Sequence, residues 1–104
     1  NVSYFIERLQ GFIDQQTHPV RQIVIDARAI PSIDFTAAEK LRPYIKKLHD
    51  QGIEIAIARA HLPLREVGVA SGLRHMFPPE RIFREVGDAV EAYRDRGLAE
   101  VVSR

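Results

Sequence analysis

Apolar residues first recur at helical intervals: Val2, Phe5, Ile6, Leu9, Phe12 and Ile13 fall three and four apart. The spacing predicts an amphipathic helix that Asn1 or Ser3 can cap and that Thr17-His18-Pro19 ends, because proline cannot continue it. The pattern then changes. Arg21–Asp26 carries the unbroken β-branched run Ile23-Val24-Ile25, the mark of a parallel strand buried on both faces. Helical spacing returns at Ala38, Leu41, Ile45 and Leu48. This second helix begins near Phe35, with Asp34 as N-cap accepting from the Thr36 or Ala37 amide. Pro43 falls inside it, yet the apolar register continues, which predicts one bent helix. Gly52 supplies the left-handed stop, and Ile53–Ala58 resumes a strand.

Arg59–Pro63 connects to a third helix over Pro63–Ser71, with Pro63 at its first position and Leu64, Val67 and Ala70 turned inward. Gly72 ends it, and Leu73, Met76 and Phe77 cover the core. Arg81-Ile82-Phe83 reads as a short edge strand. A last helix spans Gly87–Arg96, with Val86, Ala89, Val90 and Tyr93 as its buried stripe and Gly97 past its end; Leu98–Arg104 extends it or frays. Strand, loop, helix and strand over residues 21–58 form a βαβ crossover, so the fold class is α/β with a mostly parallel sheet and about four helices. Four helices around three visible strands leave one sheet edge undersupplied, which predicts a further strand before Asn1.

Composition narrows the class. Fifteen Lys and Arg nearly balance fourteen Asp and Glu among 104 residues, which argues against a dedicated nucleic-acid binder. No window approaches the roughly 20 apolar residues of a membrane span, and no signal peptide is visible. Cysteine is absent, which removes disulfides, thiol nucleophiles and thiolate metal sites. An Asn rather than a Met in first position predicts a fragment or a processed form.

Candidate chemistry gathers where the first strand feeds the second helix, the end of an open α/β sheet where ligands bind. Thr36 falls near the second helical position. A phosphate there would meet unpaired amides and the positive end of the helix dipole; the plainer role is an ordinary first-turn residue beside the capping Asp34. Asp26 and Asp34 could act as an acid/base or cation-binding pair, but no third ligand, activated nucleophile or glycine-rich phosphate loop accompanies them. The plainer role of Asp26 is to accept from loop amides. Arg59, His61 and Arg65 follow the next strand and could add positive charge beside Thr36, or simply be solvated. His18, His49, His61 and His75 lack metal-ligand spacing, so no metal site is predicted. The run Tyr93-Arg94-Asp95-Arg96 reads as a solvated face, and no aromatic-plus-basic pattern suggests RNA.

Val24-Ile25-Asp26-Ala27 through Ile33-Asp34-Phe35-Thr36-Ala37-Ala38 resembles the hallmark strand and loop of the STAS domain, the module shared by anti-sigma-factor antagonists and SulP-type sulfate transporters. Gly52 to Ala58, Val67 to Leu73, and Ile82-Phe83 to Val90 resemble its later segments. The Asp-x-Thr-Ala form at Asp34–Ala37, and Asn1-Val2 before an amphipathic helix, are more similar to the SulP branch. Antagonists carry Asp-Ser-Ser-Gly and are phosphorylated on the second serine, the place Thr36 occupies; Phe35 and Ala37 depart from that pattern.

The resemblance implies a STAS-like fold with N-terminal strands missing from this chain. Residues 1–104 would then be one non-enzymatic regulatory domain on the cytoplasmic side of a sulfate or other anion transporter. It implies contact with the transporter's membrane domain, a protein partner at Asp34–Thr36, and a homodimer. The rival implication is a signalling module switched by phosphorylation at Thr36. Guanine nucleotides bind some relatives; without a Walker loop any such binding here would be weak, with Phe35, Arg59, His61 and Arg65 as the candidate anion contacts.

Overall fold

A computed structural model describes residues 2–30 and 33–102, with side chains described to residue 96. Asn1 as a cap, Pro31 and Ser32 in the turn, and Ser103 and Arg104 at the end lie outside the described residues. The elements are α1 (Val2–Asp14), β1 (Gln22–Asp26), α2 (Phe35–Asp50), β2 (Glu54–Ala58), α3 (Leu62–Ser71), β3 (Ile82–Phe83) and α4 (Val86–Val102). The strands form one parallel sheet in the order β1-β2-β3, so the chain is α/β with four helices. Register sets Ile23 against Ile55 and Asp26 against Ala58, while Phe83 meets Ala58 from the other side. Among the described residues no strand pairs with the outer edge of β1, so Ile23, Val24 and Ile25 are only partly buried rather than buried on both faces as expected.

The two faces of β2 explain the layers. Side chains alternate along a strand, so Ile55 and Ile57 share one face and Glu54, Ala56 and Ala58 the other. Ile55 packs with Tyr44, Ile45 and Leu48 of α2, Ile53 and Phe77, and Ile6, Leu9 and Ile13 of α1 border this cluster. The opposite face takes α4, which packs across all three strands. Arg96 of α4 reaches Glu54, and the fully buried Ala56, Ala58 and Ala89 leave room for close approach. Glu54 also accepts from Gln22 at 2.9 Å and pairs with Arg81 at 2.9 Å, tying β1, the approach to β3 and α4 together.

Helix α2 runs through Pro43 as one element. Proline cannot donate to the Glu39 carbonyl, but both residues are exposed, so water can take that acceptor. The predicted left-handed stops hold, with φ of 82° at Gly52 and 80° at Gly72.

Other expectations need correction. Ala70 is exposed, because Leu64, partly buried Val67 and Ser71 form the inward stripe of α3. Val90 and Tyr93 are exposed, because a three-stranded sheet is too narrow to cover the whole face of α4; the Tyr93 ring instead lies 5.6 Å from the Arg96 guanidinium. Gly97 does not stop α4, which continues to Val102. A mid-helix glycine costs about 1 kcal/mol relative to alanine, and the good helix formers Leu98, Ala99 and Glu100 follow it.

Candidate functional site

The carboxyl ends of β1 and β2 lie side by side, and two loops leave from them. Parallel pairing of Asp26 with Ala58 puts Arg59, the next residue, within reach of the Asp26 carboxylate. Arg59 Nε donates to Asp26 Oδ1 at 3.0 Å, and Nη2 pairs with Oδ2 in the bidentate geometry that suits guanidinium and carboxylate. Asp26 Oδ1 also accepts the Arg28 amide at 3.1 Å, the loop role foreseen for it. The Arg59 hydrogen bond, the largest cause, holds the Asp26 carboxyl below its ordinary value, and the same bond raises the Arg59 guanidinium. Arg59 has φ of 61°, a left-handed conformation that an L-residue adopts at a cost of about 1–2 kcal/mol. Its side chain on Asp26 and its amide on the Phe83 carbonyl, 3.1 Å away, hold it there.

His61 joins the same two loops. Its Nδ1 accepts the Leu64 amide at 3.3 Å and so caps α3; its Nε2 lies 3.2 Å from the Ile30 carbonyl. An amide can only donate, so Nδ1 is the bare nitrogen and Nε2 carries the proton given to Ile30. Pro63 therefore sits second in α3, one place later than expected, because Leu62 opens the helix.

Asp34, Phe35 and Thr36 form the exposed corner where α2 begins. Asp34 caps the helix as expected, Oδ1 accepting the Ala37 amide at 2.7 Å. The first two amides, of Phe35 and Thr36, have no acceptor among the described residues. Thr36 is exposed, and the Phe35 ring, 48% exposed, stands beside it. Among the described residues, no hydrogen bond or ion pair joins Arg59, His61 or Arg65 to this corner. Arg59 and His61 are committed to the loops, which leaves Arg65 without a carboxylate partner among the described residues.

Beside the corner a groove of about 670 Å³ runs between α2, α3 and the sheet. Ile25, Ile30, Ile33, Leu41, Ile45 and Phe77 are among the apolar residues that line it. Sealed and dry, such a volume would cost on the order of 16 kcal/mol, more than an ordinary domain's whole stability. It is open: Leu62 and Val69, also lining it, are 62% and 64% exposed.

Neither the groove nor the His61 bridge was foreseen from sequence. The cap had a signal, a side-chain acceptor immediately before Leu62-Pro63; the groove, assembled from segments between Phe5 and Ile82, had none. The described residues hold no cluster of three metal-ligating side chains, and no described helix is long and apolar enough to cross a membrane.

A capped, exposed helix start thus lies at the carboxyl edge of a parallel sheet in an α/β fold. The STAS domain family model matches residues 1–89, and the chain belongs to that family. Two Mycobacterium tuberculosis proteins, Probable sulfate transporter MT1781 of strain CDC 1551 / Oshkosh and Probable sulfate transporter Rv1739c of strain ATCC 25618 / H37Rv, are each 31% identical over 96 residues. Those matches cover 92% of this chain and 17% of each relative, so the chain spans about a sixth of their length. Among solved structures, the SulP transporter STAS domain from Vibrio cholerae superposes with a TM-score of 0.73 at 17% identity, over 97% of this chain and 76% of that one. A sulfate transporter family protein from Wolinella succinogenes gives 0.70 at 19%, over 86% and 73%. The fold is that of SulP-type STAS domains.

Proposed function

We propose that this chain is a non-enzymatic regulatory domain of a SulP-family sulfate or other anion transporter, on the cytoplasmic face of the membrane, and that it docks partners through Asp34-Phe35-Thr36. One observation carries the reading: an exposed aromatic ring, an exposed hydroxyl and two amides without an acceptor among the described residues share one helix start. That combination offers apolar area and anion-directed donors together, and rings of this kind often anchor interfaces. The relatives named as sulfate transporters support the membrane context. The transporter's membrane domain is the first partner, and a second copy of the domain is another.

The test is sulfate uptake by cells expressing the full-length gene product with Phe35→Ala or Thr36→Glu. Uptake should change several-fold with unchanged protein abundance; wild-type uptake in both variants contradicts the docking role. The exposure of Thr36 also favours a second reading, a switch set by phosphorylation. Added charge of about −1.5 to −2 would fall beside the Phe35 and Thr36 amides. Mass spectrometry of the protein from cells should find phosphate on Thr36, and a Thr36 never modified under any growth condition removes this reading.

A further inference from the structure

We infer that the groove between α2, α3 and the sheet is a binding site for an amphiphilic organic anion, a molecule with an aliphatic body and one carboxylate. Its volume of about 670 Å³ lies within the range of sites that take one small organic molecule, and such sites are mainly apolar with a few polar groups for orientation. The lining here has that composition. Its apolar residues come from Phe5 of α1, Leu41 and Ile45 of α2, the length of α3, and the strands.

The polar contribution is cationic in balance: Arg65 and Arg74 line the groove against one carboxylate, Glu66. Arg74 spends one nitrogen on the Phe77 carbonyl at 2.6 Å, and its remaining donors have no partner among the described residues. Arg65 has none either. Two guanidinium groups without carboxylate partners among the described residues, beside an apolar trough, are complementary to a carboxylate head on a hydrocarbon tail. Leu62 and Val69 at the mouth keep the entrance open and apolar. Ile33, next to the capping Asp34, forms part of the wall, so an occupant would touch the loop leading to Thr36. The site does not depend on docking at Thr36, and its failure leaves that reading untouched.

The experiment is isothermal titration of the 104-residue chain with dodecanoate below its micelle concentration, with dodecanol and dodecyltrimethylammonium as neutral and cationic probes. One-to-one binding of dodecanoate at least tenfold tighter than either control is expected. The double variant Arg65→Gln/Arg74→Gln should weaken dodecanoate at least fivefold and leave dodecanol unchanged. Gly68→Leu places a branched side chain on the groove wall and should weaken both. A β-carbon at Gly68 meets only Arg74, at an ordinary 4.0 Å, so this variant should fold, which circular dichroism checks. No saturable binding of dodecanoate, or equal affinity for all three probes, overturns the proposal. So does a sedimentation profile showing a dimer that Val69→Asp dissociates while no amphiphile binds, because the groove is then covered by a second copy.

Discussion

Removing the Asp34 side chain should cost a predictable amount. Asp34 is exposed and among the described residues makes one side-chain hydrogen bond, to the Ala37 amide at 2.7 Å. Loss of such a cap costs about 1 kcal/mol. The first turn of α2 holds no acidic residue, so Asp34 is also the only negative charge at that helix start, an effect of roughly 0.5 kcal/mol at low salt. Asp34→Ala should therefore lose about 1.5 kcal/mol, and Asp34→Asn, which keeps a capping oxygen, about 0.5 kcal/mol. For a domain of this size 1 kcal/mol moves Tm by roughly 4–8 °C, so the alanine variant should melt about 6–12 °C early. Thermal and urea unfolding followed by circular dichroism measure both variants, and high salt should remove the charge component from each. An alanine variant as stable as wild type, or an asparagine variant as unstable as the alanine one, refutes the cap geometry.

Three further predictions concern the sheet, the core and the turns. Asp26 is held below its ordinary 3.8 in the folded protein, so its pair with Arg59 adds stability above about pH 3.8 that disappears as pH falls below that value through the folded-state one. Asp26→Asn should flatten the fall of Tm between pH 5 and 2.5, and parallel curves for the two proteins would show that the pair adds nothing. Leu48 is fully buried and Ile45 almost so; Leu48→Ala should cost about 3 kcal/mol and Ile45→Val about 1, read from urea midpoints. Alanine at Gly52 or Gly72 should each cost about 1 kcal/mol for the left-handed backbone. At Gly72 the added carbon comes 3.3 Å from the Arg42 guanidinium, a flexible end that can swing aside, so a much larger loss there would show that Arg42 is fixed.

What was legible in the chain followed from periodicity and end signals. The run Ile23-Val24-Ile25, the stripe Leu41, Ile45 and Leu48, and the glycines at 52 and 72 each act within a few residues, so β1, α2 and the stops were readable. Burial on α4 was not, because Val90 and Tyr93 fall at helical spacing whether or not the sheet is wide enough to cover them. At the site, Asp34 as cap and Thr36 as a first-turn residue were local and readable. The engagement of Arg59 with Asp26 depends on parallel register between residues 33 apart, and arginine gives no local hint of a positive φ. Arg59 and His61, named as candidates for anion contact, fasten two loops together. Only Arg65 of the three keeps a guanidinium with no partner among the described residues.

The docking role of the α2 corner is tested most directly by a photo-crosslinking amino acid at Phe35 in the full-length gene product in membranes, with Lys46 as control. Lys46 is exposed on the same helix, 11 residues or about 16 Å further along. A crosslink from position 35 to membrane-spanning segments of that same protein, absent from position 46, is the predicted result. Equal labelling from both positions, or none from position 35, contradicts it.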